Sequence, residues 1–186
     1  MGWLQRVTRS KKEAALVAAV FVLAGAWLLF LSSGGGAHQG PIAEPQRVDL
    51  DFDIATLDGE VRSVAELAAG KPVILHYWGT WCPPCRAEMP EIQAFANEGA
   101  FDGELLLVAV NDSPGAVRRF AEDKGYDLPF SVLASLPGDE ALTTRYFPTT
   151  LVISPESEVV YRREGAMSWD DGEFRAALAK LPEAAQ

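Results

Sequence analysis

The chain has 186 residues, a formal net charge of -10, 48% hydrophobic and 23% charged residues. Those figures bound it to one ordinary domain with a small appendage, and exclude wholesale disorder, a collagen-like repeat and a multi-span membrane protein. The acidity argues against nucleic acid as a partner, because phosphate binding needs a basic face. Two cysteines and two histidines exclude a disulfide-rich scaffold and a four-cysteine zinc module, so no metal site and no cofactor is expected.

The charge is split along the chain. Residues 1–13 hold Arg6, Arg9, Lys11 and Lys12 against the single acid Glu13, a net +3, which leaves -13 for the rest. Residues 14–31 (AALVAAVFVLAGAWLLFL) contain no charge and no proline. As a helix, these residues would reach about 27 Å, close to the hydrocarbon thickness of a bilayer. The basic flank before them predicts a cytoplasmic N-terminus and an extracytoplasmic remainder at the inner membrane. An uncleaved single-pass signal anchor and a cleaved signal peptide compete for this segment; its length favours the anchor. Residues 32–47 (SSGGGAHQGPIAEPQR) have four glycines, two prolines and no apolar period, and read as a flexible linker.

Residues 48–186 form the folded domain. Val48, Leu50, Phe52 and Ile54 alternate with aspartates, which predicts a half-buried strand. Asp58-Gly59 marks a hairpin turn before Val61, and Ser63 is placed to cap a short helix ending at Gly70. Residues 72–78 (PVILHYW) predict a buried strand, and residues 86–97 a helix kinked at Pro90. A strand over 104–110, a helix from Pro114 to Gly125 and a strand over 130–133 follow. Then come a short helix over 140–146, strands over 149–153 and 159–162, and a last helix after Asp170-Asp171. The order predicts an α/β sandwich around a mixed sheet.

Both cysteines lie in Trp81-Cys82-Pro83-Pro84-Cys85, between a buried strand and a helix. A C-x-x-C in that context reads as a redox dithiol. The first turn of a helix has unpaired amides and the positive end of the macrodipole, so a Cys82 thiolate is stabilised there. Cys85, one turn on, can close a disulfide with it. Pro83 and Pro84 stiffen the loop where the missing amides have no intrahelical partner to lose. A purely structural disulfide gains little from so short a loop. A two-thiolate copper(I) site remains chemically reasonable beside redox exchange.

VILHYWGTWCPPCRAEMP, followed about 60 residues later by FPTTLVI, resembles the membrane-anchored thioredoxin-like proteins of the TlpA/ResA group, over nearly all of the soluble domain. The resemblance implies a thioredoxin fold with an added N-terminal β-hairpin. It implies thiol–disulfide exchange outside the cytoplasmic membrane, on disulfide-containing protein substrates of the cytochrome c or oxidase maturation type. A pair kept reduced in an oxidising compartment needs an electron donor, expected to be a membrane thiol carrier. By resemblance, Cys82 is the attacking, exposed cysteine and Cys85 the resolving one. Pro148 is the cis-proline facing them, and Glu88 the partly buried acid that exchanges a proton with Cys85. His76 departs from the pattern, standing where thioredoxin has a buried aspartate. It is either a proton carrier titrating near neutrality or a hydrogen-bonded strand histidine. Trp81 is expected to shield Cys82, and Phe147, Pro148 and Thr149 to line a substrate groove. The same atoms run in reverse would donate a disulfide.

Overall fold

The structure is a computed structural model that describes residues 39–182. The basic flank 1–13, the apolar segment 14–31 and the linker up to residue 38 lie outside the described residues. Among those described, no helix is long and apolar enough to cross a membrane.

Eight strands form one mixed sheet. They are β1 (Gln39–Arg47), β2 (Asp53–Thr56), β3 (Val61–Ser63), β4 (Val73–Trp78), β5 (Glu104–Ala109), β6 (Phe130–Leu133), β7 (Thr149–Ile153) and β8 (Glu158–Glu164), in the spatial order β1-β8-β7-β4-β5-β6-β2-β3. β4, β5 and β6 are parallel neighbours, and the remaining pairs are antiparallel. The helices are α1 (Val64–Ala68), α2 (Pro83–Glu98), α3 (Pro114–Lys124) and α4 (Gly172–Ala179). This is a thioredoxin-like α/β fold, with the β2–β3 hairpin added beside β6.

The sequence dictates this layering. Every residue of β4 is buried, as expected of a central strand covered on both faces. Ile74 and Trp78 pack with Met89, Ile92 and Phe95 of α2, Val117 of α3 and Phe174 of α4. Val73, Leu75 and Tyr77, on the opposite face, pack with Val64 of α1, Leu142, Leu151 and Val48. Helix α2 buries Cys85, Glu88, Met89, Ile92 and Phe95, a stripe at helical spacing with one carboxyl in its middle.

Four expectations need correction. The linker does not extend to Arg47: residues 39–47 form edge strand β1 against β8, with Gln39 opposite Arg163 and Arg47 opposite Glu158. The register shifts between Pro41 and Gln46, so both prolines of this segment fall where an edge strand tolerates a missing amide donor. Gly40 is there for a reason: its φ is +115°, and an added Cβ would meet Glu173 of α4 at 2.9 Å. Second, Val48, Leu50 and Phe52 are buried as the alternation requires, yet the ladder begins only at Asp53. The side chains pack while the backbone, satisfied in part by Val48 N–H to Ser157 O at 2.8 Å, pairs with no neighbouring strand. Third, the helix expected over 140–146 is only a 3-10 turn at Glu140–Leu142. Finally, α2 begins three residues earlier than its apolar period suggests, because its first turn is Pro-Pro-Cys.

Candidate active site

Sheet register assembles the site. β4 and β7 run antiparallel with Tyr77 opposite Thr149, so the segment before β7 meets the segment after β4. That juxtaposition brings Pro148 to the same end as Cys82, 66 positions away in the chain. The Phe147–Pro148 peptide bond is cis. The end of β5 arrives there too: Val110 N donates to Trp78 O at 2.9 Å, and Thr80 N to Asp112 Oδ2 at 2.7 Å. These two bonds fix the 79–81 turn that delivers the cysteines.

Cys82 is the N-cap residue of α2, with Pro83 and Pro84 in the first two helical positions. Neither proline has an amide hydrogen, so the first donor available to the cap is Cys85 N, which points at Cys82 Sγ at 3.3 Å. The sulfur therefore stands where a capping oxygen usually does, at the positive end of the helix. Cys82 and Cys85 are joined in a disulfide with Cα atoms 5.3 Å apart. Cys82 is less exposed than expected: it keeps only 3% of its surface, and Cys85 keeps none. It is still the only one of the pair that solvent touches.

Trp81, expected to shield Cys82, is itself 48% exposed. Its indole N–H donates to Val110 O at 3.0 Å, and its ring meets Phe147 edge-on at 5.1 Å between centroids. A Cβ on Gly79 would lie 2.5 Å from the indole nitrogen, so the ring can occupy this position only over a glycine. Phe147 also walls a cavity of about 70 Å³ that Tyr77 and Leu142 line from the other side. Thr149 does not line a groove. It is fully buried, and its Oγ1 donates to Tyr146 O at 2.7 Å and meets Thr144 Oγ1 at 2.8 Å. Its task is to hold the turn that presents Phe147 and Pro148.

Glu88 lies three residues beyond Cys85 on the buried stripe of α2 and is 4% exposed. Its Oε1 accepts from Met167 N at 2.8 Å, while Oε2 has no partner among the described residues. Burial pushes its carboxyl up to about 7, reinforced by the Glu91 charge. The Met167 amide, the nearby Trp169 indole and Arg163 pull the other way without overcoming burial. The Trp169 N–H is close enough to act on the carboxyl but falls short of hydrogen-bond geometry. A buried acid poised near neutrality, one helical turn from a thiol, can take and return a proton.

His76 is fully buried, and its Nδ1 lies 2.9 Å from Thr150 Oγ1. Its ring packs edge-on to Trp169 at 5.5 Å. Burial pushes its pKa down to about 3, so the imidazole stays neutral and does not titrate near neutrality as the proton-carrier reading required. The surroundings support the strand-histidine reading.

Sequence inspection missed Glu91, Met167 and Trp169. Glu91 Oε2 accepts from Trp169 N and from Ser168 Oγ, both at 2.9 Å. The E-x-x-E spacing after the second cysteine was a visible signal for Glu91. Met167 acts through its backbone amide, which no residue type announces.

A disulfide that spans two residues at a helix N-terminus, with a neutralisable acid behind it, is built for exchange, and the class is a thioredoxin-like protein disulfide oxidoreductase. The chain belongs to the Redoxin family, whose model matches residues 45–181. It is 34% identical over 120 residues to the "Thiol-disulfide oxidoreductase ResA" of Halalkalibacterium halodurans, covering 64% of this chain and 68% of that one. It is 37% identical over 134 residues to the "Thioredoxin-like protein YneN" of Bacillus subtilis, covering 69% and 76%. Among solved structures, that of StoA from Bacillus subtilis aligns with a TM-score of 0.53 at 25% identity, covering 63% of this chain and 89% of that one.

Proposed function

We propose that this chain is a membrane-tethered, extracytoplasmic oxidoreductase that reduces disulfides in protein substrates of the cytochrome c or oxidase maturation type. The observation that carries the reading is the Cys82 sulfur capping α2, one turn from Cys85 and two from the proton-holding Glu88. The ResA and StoA likenesses support the reducing direction, and the basic flank with its 18-residue apolar segment supports the tether.

In the reduced enzyme, the Cys82 thiolate attacks one sulfur of a substrate disulfide. A Cys82–substrate bond forms, the substrate S–S bond breaks, and the leaving thiolate takes a proton from solvent. Cys85 then loses its proton to Glu88 Oε2 and attacks Cys82 Sγ. The enzyme disulfide forms, and the second substrate sulfur leaves as a thiolate that is protonated in turn. Two electrons have passed from enzyme to substrate. The neighbouring Phe147–Pro148 segment offers an edge for a substrate backbone, since neither the amide nor the carbonyl of Phe147 is taken up within the described chain. A membrane thiol carrier resets the disulfide.

The test is a Cys85→Ser variant expressed in cells, which should accumulate mixed disulfides on Cys82 with the substrates of the pathway. Absence of any trapped protein refutes enzymatic exchange. A reduction potential near -120 mV, typical of strong oxidants, would overturn the reducing direction in favour of disulfide donation. Stoichiometric copper(I) binding with negligible disulfide reductase activity would favour an assembly factor instead.

A further inference from the structure

Glu88 and Glu91 present two carboxyls one turn apart on the same helix, an arrangement that costs stability through like-charge repulsion. Both are nevertheless used, and on the same segment. The connection between β8 and α4 sends alternate amides to them: Met167 N to Glu88 Oε1 at 2.8 Å, and Trp169 N to Glu91 Oε2 at 2.9 Å. Ser168 between them adds its hydroxyl to the same Glu91 oxygen at 2.9 Å, and its Oγ accepts from Asp170 N at 3.3 Å, which closes the turn. Glu91 is exposed and makes no hydrogen bond to either cysteine. Glu88 is buried and keeps one oxygen without a partner.

The two oxygens of a carboxyl are not equivalent once one of them accepts an amide. The proton sits on the other, because an oxygen already receiving N–H density is the poorer site for O–H. Met167 thus assigns the proton of Glu88 to Oε2. The position of the Met167 amide depends on the segment that carries it, and Glu91 grips that segment by two hydrogen bonds in the next two residues.

We propose that Glu91 is a positioning residue of the thiol chemistry, holding the Ser168–Trp169 segment so that the Met167 amide stays on Glu88 Oε1 and leaves Oε2 as the oxygen that exchanges a proton with Cys85. The inference rests on the reading of Glu88 as proton partner of Cys85. The groups that act on Glu88 come from every element around it: Glu91 from its own helix and Arg163 from β8, with the Met167 amide and the Trp169 indole from the connection. His76 of β4, which packs on Trp169, is neutral.

The experiment compares Glu91→Gln, Glu91→Ala and Glu88→Gln in the full-length chain. Glutamine retains an acceptor for Trp169 N and Ser168 Oγ but removes the charge; alanine removes both. Two readouts are taken: hydrogen exchange of the 166–170 segment by mass spectrometry, and the inflection of disulfide reduction rate against pH. Glu91→Ala should speed exchange about tenfold, the loss of a hydrogen-bonded anchor, while Glu91→Gln should stay within about twofold of the parent. The inflection of Glu91→Gln should move to lower pH, because a like charge is gone. That of Glu91→Ala should lie above it by about half a unit or more, because the Met167 donor is loosened as well. Coincident inflections for the two Glu91 variants, or unaltered exchange in Glu91→Ala, would overturn the proposal. If Glu88→Gln keeps the parent inflection, the reading of Glu88 itself fails and takes this inference with it.

Discussion

Glu88→Gln should change how stability depends on pH, and the size of the change follows from burial. The Glu88 carboxyl is raised from an ordinary 4.5 to about 7. Its contribution is therefore fully present below pH 4.5 and lost as pH rises through 7, a swing of about 3 kcal/mol. His76 runs the other way. Its imidazole is lowered from 6.5 to about 3, so its contribution is present above pH 6.5 and lost as pH falls towards 3, a swing of about 5 kcal/mol. Between pH 4.5 and 6.5 the two slopes are opposite and about 1.4 kcal/mol per unit each, so they cancel. The assay is urea unfolding of the oxidised protein followed by tryptophan fluorescence from pH 4.5 to 8. Subtracting the variant from the parent removes every other titrating group. The difference in unfolding free energy should fall by about 3 kcal/mol across that range, and the variant alone should gain stability from pH 4.5 to 6.5 as the His76 slope is unmasked. A difference constant to about 0.5 kcal/mol would refute the assignment of Glu88 as a buried acid.

Other outcomes follow from single contacts. Gly79→Ala should push the Trp81 ring off its seat and raise the alkylation rate of reduced Cys82 several-fold, measured with iodoacetamide. Pro84→Ala should add a second amide donor to the Cys82 cap; the pH midpoint of Cys82 alkylation should fall by about one unit, since a hydrogen bond to a charged acceptor contributes about 1.5–3 kcal/mol. The same substitution should raise the reduction potential by about 30 mV per 1.4 kcal/mol of thiolate stabilisation. Amide exchange over residues 39–47 should show protection wherever β1 pairs with β8; uniform fast exchange would restore the linker reading. Phe174→Ala, which empties a fully buried position ringed by Phe95, Tyr161 and Trp169, should cost about 3–5 kcal/mol in urea unfolding.

Much of the fold was legible because local signals and tertiary demands agree. The apolar run at Val73–Trp78 is a central strand, Gly125 ends its helix in left-handed conformation, and Asp171 caps the last one. Failures came where pairing partners decide. Residues 39–47 have linker composition, but β8 offers them an open edge, and edges accept proline. Residues 48–52 have strand composition but find no partner to complete a ladder. At the site, the cysteines were visible as side-chain chemistry, and Pro148 and Glu88 through the family resemblance. The neutrality of His76 was not, because it depends on complete burial next to Trp169, 93 positions away. The link from α2 to the β8–α4 connection was hidden for a related reason, since backbone amides donate two of its three hydrogen bonds.

The burial of the disulfide bears on traffic between redox couples. Low-molecular-weight thiols and oxidants react with whatever sulfur they can reach, and Cys82 offers them 3% of its surface. A docking protein brings binding energy that can open such a site; a small solute brings too little. The arrangement acts as kinetic insulation. So low an exposure slows equilibration of the couple with small solutes more than exchange with a fitted protein.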